Sequence, residues 1–211
     1  MKTSKVSIRS MALLAMLSSI LLVMQATGIG MIPLPMFKLT IMHIPVILGA
    51  VVLGPGAGAL LGVVFGACSV WANTTAPNVM SMFFSPFLTM TGWVGALKAL
   101  WVSVGCRAAM GFLSGWLWRL MGKMKAKDLV ALPVTAAVST LLNTVLVLGS
   151  ICLLFPQDYA QLNNTTVDAL FAIIGTTIAT NGLAEAVAAA ILVTVIGKAL
   201  LHYLQRNKRS K

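Results

Sequence analysis

Long apolar blocks, each close to the length of a bilayer crossing, constrain this sequence more than any other feature. The first block runs from Met11 to Met24, and further blocks follow along the whole chain. A helix of about 20 apolar residues crosses the hydrocarbon core of a membrane. Of the 211 residues, 59% are hydrophobic and only 9% are charged, which is too little charge to cover a soluble domain. The sequence therefore predicts an integral membrane protein, and the blocks favour helices over a barrel, whose strands alternate in polarity.

Turn-forming residues divide these blocks into six predicted spans within a single membrane domain, residues 1–211. The strongest breaker is the Gly-Pro-Gly turn at 54–56. The first block follows basic residues as a signal peptide does, but no small-residue cleavage pattern follows it, so we interpret it as a retained span. The second span is short, which predicts that it is tilted or sheltered by its neighbours. The predicted spans are residues 8–29, 40–53, 57–73, 95–121, 129–155 and 168–203, and residues 30–39 and 74–92 are predicted loops.

The basic residues predict the orientation of the spans. Twelve of the fifteen Lys and Arg residues fall within residues 2–9, 119–127 and 198–211. Six spans place these three stretches on one side of the membrane, and the positive-inside rule makes that side the cytoplasm. The fold class is therefore predicted as an all-α bundle of six transmembrane helices with cytoplasmic N- and C-termini. The net charge of +11 reflects topology and anionic lipid contact rather than nucleic-acid binding.

Small residues recur every four positions in three spans. Such spacing lets helix backbones approach closely in a membrane. Most of these faces are expected to pack within the molecule, and a minority to dock another subunit. The positions are Gly58, Gly62 and Gly66 in span 3, Gly111 and Gly115 in span 4, and Gly182, Ala186 and Ala190 in span 6.

Four polar residues in the later spans are candidates for ligand binding: Arg107, Asn143, Asn181 and Glu185. Arg107 lies about 22 Å along its helix from the inner end, at about 1.5 Å per residue, so it is predicted in the outer half of the membrane. Two interpretations of its guanidinium stay open. In the first, it has a structural role, because it pairs with Glu185 or snorkels to the interface; in the second, it binds the carboxylate of a substrate. Each Asn alone is more often an interhelical hydrogen-bonding group. Together with Arg107, they predict one outward-facing cavity.

Two further residues are predicted at the mouth of this cavity. His43 opens span 2, and Asn73 ends span 3 at the outer surface. The apolar loop 74–92 suits a lid over a ligand, although it could equally rest on lipid headgroups.

Enzymatic and metal-binding motifs do not occur in the sequence. There is no phosphate-binding G-x-x-x-x-G-K-[ST] loop, so the chain is not the ATPase of a pump. The sequence GFLSG at 111–115, which contains Ser114, weakly resembles a motif of membrane serine proteases. His43 and His202 are predicted too far from Ser114 to form a Ser–His dyad. Cys68, Cys106 and Cys152 lack metal-ligand spacing and are interpreted as packing residues. No cofactor or metal is predicted.

The stretch from Ile41 to Gly66 resembles spans 2 and 3 of S components, the substrate-binding subunits of energy-coupling factor (ECF) vitamin transporters. It reads IMHIPVILGA, then LGPGAGA from Leu53, then GVVFG from Gly62. The sequence FSPF at 84–87 and the Asn-containing fifth and sixth spans are also similar. The pattern is nearest to pantothenate S components, and the resemblance extends over most of the chain.

This resemblance implies a six-helix bundle in a bacterial cell membrane that captures a vitamin from outside. It also implies a partner membrane subunit and two cytoplasmic ATPases, whose ATP hydrolysis topples the loaded bundle to release the ligand. The family's A-x-x-x-A docking motif has its nearest match at Ala15 and Ser19, where Ser replaces the second Ala. Pantothenate carries one carboxylate, two hydroxyls and an amide, which Arg107, Asn143, Asn181 and Glu185 would satisfy. The alternatives are another carboxylated vitamin such as folate, a stand-alone transporter or channel, and a membrane enzyme or scaffold.

Overall fold

The computed structural model describes residues 8–33, 38–89, 92–162, 166 and 169–209. It describes side chains in these ranges except those of residues 31–33, 38, 39, 171, 173 and 204–209. Lys2, Lys5 and Lys211, which the charge pattern assigns to the cytoplasm, lie outside the described residues.

The described chain is mainly helical. Its helices are α1 (Ile8–Thr27), α2 (His43–Leu53), α3 (Pro55–Thr75), α4 (Gly92–Leu100), α5 (Cys106–Lys123), α6 (Asp128–Leu154), α7 (Pro156–Leu162), α8 (Leu170–Thr177) and α9 (Leu183–Arg209). A π-helical segment, Trp101–Gly105, joins α4 to α5, and a second, Ile178–Gly182, joins α8 to α9. Strands β1 (Met31–Pro33) and β2 (Lys38–Thr40) pair antiparallel, so the predicted loop at 30–39 contains a short hairpin instead.

In the part of the chain that the structure describes, five helical stretches are long and apolar enough to cross a membrane. They are Ile8–Thr27, Pro55–Thr75, Gly92–Lys123, Asp128–Leu154 and Ile174–Tyr203. These stretches match five of the predicted spans to within a few residues, except at the start of the last one. The helical membrane protein expected from the apolar blocks is therefore confirmed. The sixth span and the orientation stay predictions, because α2 is too short to be counted by length.

Helix α2 lies at the centre of the bundle. Every residue from His43 to Val51 is buried, because α1, α3, α5, α6 and α9 all contact this helix. An apolar helix surrounded in this way needs no lipid-facing side. The prediction that neighbours shelter the second span is confirmed.

Helices α3 and α5 meet at a seam of glycines. A Cβ atom on Gly58 would lie 2.2 Å from the carbonyl oxygen of Gly111, and one on Gly62 would lie 2.2 Å from that of Arg107. Farther along, Gly66 contacts Val104 and Gly115 contacts Pro55, so the two helices run antiparallel. Backbone meets backbone along this seam, as the four-residue spacing of small residues predicted.

Helices α6 and α9 are also antiparallel but lie farther apart near Gly182 than near Gly197. The nearest described atoms to a Cβ atom on Gly182 are in the side chains of Leu141 and Thr144, at 3.6 Å, and Ile178, at 3.7 Å, which is ordinary van der Waals contact. Gly197, at the other end, would place a Cβ 3.0 Å from Leu132. The predicted small-residue face of span 6 therefore packs without backbone contact at Gly182, and space remains beside it.

Candidate functional site

A cavity of about 230 Å³ lies between α5, α6 and the joined helices α8 and α9. Its size is slightly below the roughly 300–1,000 Å³ typical of small-molecule sites. Four of the six residues predicted to bind ligand line it together, which the sequence expected of Arg107, Asn143, Asn181 and Glu185. The described lining residues are Thr40, Phe65, Arg107, Asn143, Thr144, Val147, Leu148, Thr177, Asn181 and Glu185.

The π-helical segment before α5 fixes the guanidinium of Arg107. Arg107 is 8% exposed, and its Nη1 donates to the carbonyl oxygens of Val102 at 3.1 Å and Ser103 at 2.9 Å. The N–H of Cys106 donates to Trp101, five residues earlier, so this turn is wider than an α-helical one. Such π turns are frequent at functional sites, and here the segment orients the charged group.

Two aromatic rings flank the same guanidinium. The Cζ atom of Arg107 lies 4.8 Å from the ring centroid of Phe65 and 5.5 Å from that of Phe84. Cations at such distances from ring faces are attracted by the ring quadrupole. The hydroxyl of Ser103 donates to the carbonyl oxygen of Phe84, which holds this loop residue over the site.

Arg107 and Glu185 do not pair, which answers one alternative left open by the sequence. The carboxylate oxygen Oε1 of Glu185 accepts a hydrogen bond from the backbone N–H of Thr40 at 2.8 Å. In the described part of the chain, the hydrogen bonds of the guanidinium go to backbone carbonyls, and its Nε has no partner. An isolated charge inside a membrane costs at least about 2.5–3.5 kcal/mol, so an anionic ligand would stabilise this arrangement.

The two asparagines present amide groups to the same space. Asn143 Oδ1 is buried and has no hydrogen-bond partner among the described residues. Asn181 lies within the second π-helical segment, where its Oδ1 accepts a 3.4 Å contact from Thr180. A π turn therefore stands on each side of the cavity, one beside Arg107 and one at Asn181.

Asn73 and His43 do not line this cavity. Asn73 Nδ2 donates to the carbonyl oxygen of Ser69 at 2.8 Å, and its Oδ1 accepts from Ser81 at 2.9 Å. Asn73 thus ties the following loop to α3, which is a structural role. His43 is 1% exposed, and neither of its ring nitrogens has a partner among the described residues.

Hydrogen bonds anchor the loop that the sequence predicted as a lid. Besides the Asn73–Ser81 bond, the hydroxyls of Thr74 and Ser85 lie 2.8 Å apart. Asn78 caps the 3₁₀ turn at Val79–Phe83. The described part of the loop is therefore held against α3, and its role as a lid stays a prediction.

The predicted docking residues lie on an open face of α1. Ala15 and Ser19 are both exposed, and the Ser19 hydroxyl donates to the Ala15 carbonyl oxygen at 2.9 Å. Only Leu17 and Leu21 of this helix are buried.

Sequence reasoning missed seven residues of the site: Phe84 and six of the lining residues, Thr40, Phe65, Thr144, Val147, Leu148 and Thr177. The six lining residues are ordinary apolar or threonine side chains, which gave no signal of a site. Phe84 lay in a segment that resembled the family, but nothing in the pattern related it to Arg107.

Comparison with known proteins gives two findings. The family model described as the substrate-specific component of ECF transporters matches residues 9–197. The chain is also similar to the pantothenic acid transporter PanT of Lactococcus lactis subsp. cremoris (strain MG1363). The two are 35% identical over 204 residues, which cover 95% of this chain and 96% of that relative.

Proposed function

Because this chain belongs to the family of ECF transporter substrate-specific components, we propose that it captures pantothenate from outside the cell for import. The observation that carries this proposal is the Arg107 guanidinium, which is buried beside the cavity and pairs with no carboxylate among the described residues, since Glu185 binds the N–H of Thr40 instead. Membership of a transport family makes the chain a component of a membrane transporter and not an enzyme.

The chemistry of the cavity complements pantothenate. A guanidinium can bind a carboxylate through two parallel hydrogen bonds, and Arg107 retains nitrogens that make no protein hydrogen bond among the described residues. Asn143 Oδ1 can accept a hydrogen bond from a hydroxyl or an amide N–H. The apolar side chains of Phe65, Val147 and Leu148 suit the branched methyl groups of the vitamin.

Two observations favour pantothenate over other carboxylated vitamins. The relative from Lactococcus lactis is named a pantothenic acid transporter. The cavity of about 230 Å³ suits a compact molecule better than folate, which is much larger. Folate is therefore the second candidate, and it would require the cavity to widen.

The proposal includes the arrangement in the membrane. The whole chain forms a single domain of six spans with α2 as the short second span, and both termini lie in the cytoplasm. The described basic side chains Arg119, Lys123, Lys125 and Lys127 cluster at the junction of α5 and α6, which fits the positive-inside rule.

Import is coupled to ATP hydrolysis by partner subunits in this proposal. The partners are an ECF transmembrane subunit and two cytoplasmic ATPases, and the exposed face of α1 at Ala15 and Ser19 is the docking surface. A stand-alone transporter would need no such partners. Co-purification separates the two: the proposal expects an ATPase pair to be recovered with the chain, and uptake by the chain alone in liposomes would contradict it.

The substitution Arg107→Ala tests the binding site. We expect pantothenate affinity, measured by calorimetry on the purified protein, to fall at least about tenfold, which corresponds to about 1.4 kcal/mol. Arg107→Lys keeps the charge but loses the fixed fork of donors, so its affinity should lie between those of Arg107→Ala and the unchanged protein.

Arg119→Ala is the matched control, because Arg119 is an exposed arginine on the same helix. It should leave affinity unchanged. Unaltered pantothenate binding by Arg107→Ala would remove Arg107 from the site. Mass spectrometry of small molecules released from the purified protein would identify folate, or another ligand, in place of pantothenate.

A further inference from the structure

Two hydroxyl groups inside α6 are buried without a hydrogen bond. Thr135 and Ser139 are both 0% exposed, and neither hydroxyl oxygen has a partner among the described residues. Two other fully buried hydroxyls in α-helices donate to the carbonyl oxygen four residues earlier: Ser114 donates to that of Met110 at 2.7 Å and Thr140 to that of Ala136 at 2.9 Å. Thr135 and Ser139 do not make this bond.

These two hydroxyls lie on the same helix face as the cavity residue Asn143. Positions 135, 139 and 143 are four residues apart, so they form a stripe along one side of α6. At about 1.5 Å per residue, Ser139 lies about 6 Å and Thr135 about 12 Å from Asn143 toward the start of the helix. Asn143 Oδ1 also lacks a protein partner among the described residues. Three successive polar groups on this face of α6 therefore need a hydrogen-bond partner.

His43 is at the same level of the bundle. A Cβ atom on Gly197 would contact both Leu132 of α6, at 3.0 Å, and Leu48 of α2, at 3.4 Å, which puts these two leucines level with each other. Since α2 runs antiparallel to α6, His43 lies about 7.5 Å closer to the cavity than Leu48. That is the level of residue 137, between Thr135 and Ser139, and α2 contacts α6.

Leaving four such polar groups unpaired would be costly in a membrane. Each buried polar group without a hydrogen bond costs about 1–3 kcal/mol in proteins, and bilayer solvent supplies no partners. The groups are a mixture of donors and acceptors: two hydroxyls, an imidazole and a carboxamide oxygen. No cluster of His, Cys, Asp or Glu suitable for a metal ion occurs among the described residues.

We propose that Thr135, Ser139 and His43 form an internal water-binding site beneath the ligand cavity, continuous with it at Asn143. Water can both donate and accept, and buried waters typically make about three hydrogen bonds to groups of this kind. The site keeps the cavity floor solvated when the cavity holds no vitamin. It depends on the polar residues of α2 and α6 alone, so it stands whether or not pantothenate is the ligand.

The substitution Thr135→Val separates a hydrated site from a dry one. Valine has the shape of threonine but makes no hydrogen bond. If the hydroxyl of Thr135 were dry and unpaired, its removal would stabilise the protein. If the hydroxyl binds a water molecule, its removal deprives that water of a hydrogen-bond partner, and the protein is destabilised. We expect Thr135→Val to lower the Tm of vitamin-free protein in nanodiscs by about 2–4 °C, the shift for about 1 kcal/mol in a chain of this length.

Thr140→Val is the matched control, because Thr140 is an equally buried threonine on the same helix whose hydroxyl is bonded to its own backbone. A Tm for Thr135→Val that equals or exceeds that of Thr140→Val would overturn the proposal.

High-resolution electron cryo-microscopy of the unsubstituted vitamin-free protein gives an independent test. We expect ordered solvent density within about 3.2 Å of both Thr135 Oγ1 and Ser139 Oγ. Density that is absent, or that occurs only after pantothenate is added, would exclude a resident water site. Neither result bears on Arg107, so failure here is distinguishable from failure of the proposed function.

Discussion

The α3–α5 seam and the cavity between α5, α6 and α9 differ in how closely their helices pack. In the seam, a Cβ on Gly58, Gly62 or Gly111 would lie within 2.2 Å of a backbone oxygen, so there is no free volume. Beside the cavity, the nearest described atoms to a Cβ on Gly182 are 3.6 Å away, and the cavity itself has a volume of about 230 Å³. Tight backbone contact and open space therefore lie on two sides of a single helix, α5.

Arg107 belongs to both regions, which shows why they are adjacent. Its carbonyl oxygen lies in the seam, where a Cβ on Gly62 would approach to 2.2 Å, while its guanidinium reaches the cavity. The backbone that carries the charged side chain is thereby fixed by the most closely packed part of the molecule. Rigid support of this kind holds a binding group in its productive geometry.

The largest loss of stability is expected from adding one methyl group within the α3–α5 seam. Gly111→Ala would place a Cβ 2.0 Å from the Gly58 carbonyl oxygen, and two backbones have no rotamers by which to relax. Overpacking commonly costs about 1–3 kcal/mol, and we expect the upper end. The Tm should fall by roughly 10 °C at about 2–4 °C per kcal/mol, as measured by fluorescence in detergent.

Gly149→Ala provides the comparison for that experiment. Gly149 lies within α6, and apart from its neighbours in the helix no described residue has an atom within 4 Å of the position that a Cβ would take there, so alanine should be tolerated or slightly stabilising. Equal Tm values for the two variants would mean that the seam is not closely packed.

A smaller effect on stability, together with a loss of binding, is expected from Asn143→Leu. The substitution removes a buried acceptor that has no protein partner among the described residues and that borders the proposed water site, so the Tm of the vitamin-free protein should fall by no more than about 2–4 °C, the change expected of Thr135→Val. Pantothenate affinity should fall about tenfold, because one hydrogen bond to the ligand is lost. A lower Tm together with unchanged affinity would assign Asn143 to packing instead of the site.

The smallest effect is expected on the open side of the cavity. Gly182→Ala adds a methyl group at ordinary van der Waals distance from Leu141 and Thr144. We expect the Tm to change by less than about 2–4 °C, the shift that corresponds to about 1 kcal/mol. A fall as large as that of Gly111→Ala would show that the two helix contacts are equally tight, and would remove the contrast.

Much of this contrast could be predicted from the sequence. The four-residue spacing of Gly58, Gly62 and Gly66 predicted close approach because only small residues allow it in a membrane. Arg107, Asn143 and Asn181 were predicted to meet because polar side chains inside a membrane almost always face the interior of the bundle, and these three lie at similar predicted depth on neighbouring spans. The apolar blocks predicted the five long spans without any knowledge of tertiary contacts, whereas the orientation that the charge pattern predicts stays a prediction.

The remaining features depend on contacts between distant segments. The sequence offered Glu185 as a partner for Arg107, yet its carboxylate binds the N–H of Thr40, which is 145 positions away. The π turns at 101–105 and 178–182 have no residue signature, because α and π turns accept the same apolar side chains. Asn73 is a polar residue within a span, as the lining residues Asn143 and Asn181 are, and only its hydrogen bonds to Ser69 and Ser81 assign it a structural role.

The burial of α2 also bears on how this protein is made. Eleven residues extend about 16 Å as a helix, roughly half of the hydrocarbon thickness of about 30 Å. Such a segment is a poor stop-transfer sequence by itself, and the tight turn at Gly54 and Pro55 links it directly to the long α3. The two helices should therefore leave the translocon as a hairpin. Because α9 also contacts α2, this central helix is fully enclosed only after α9 has been synthesised.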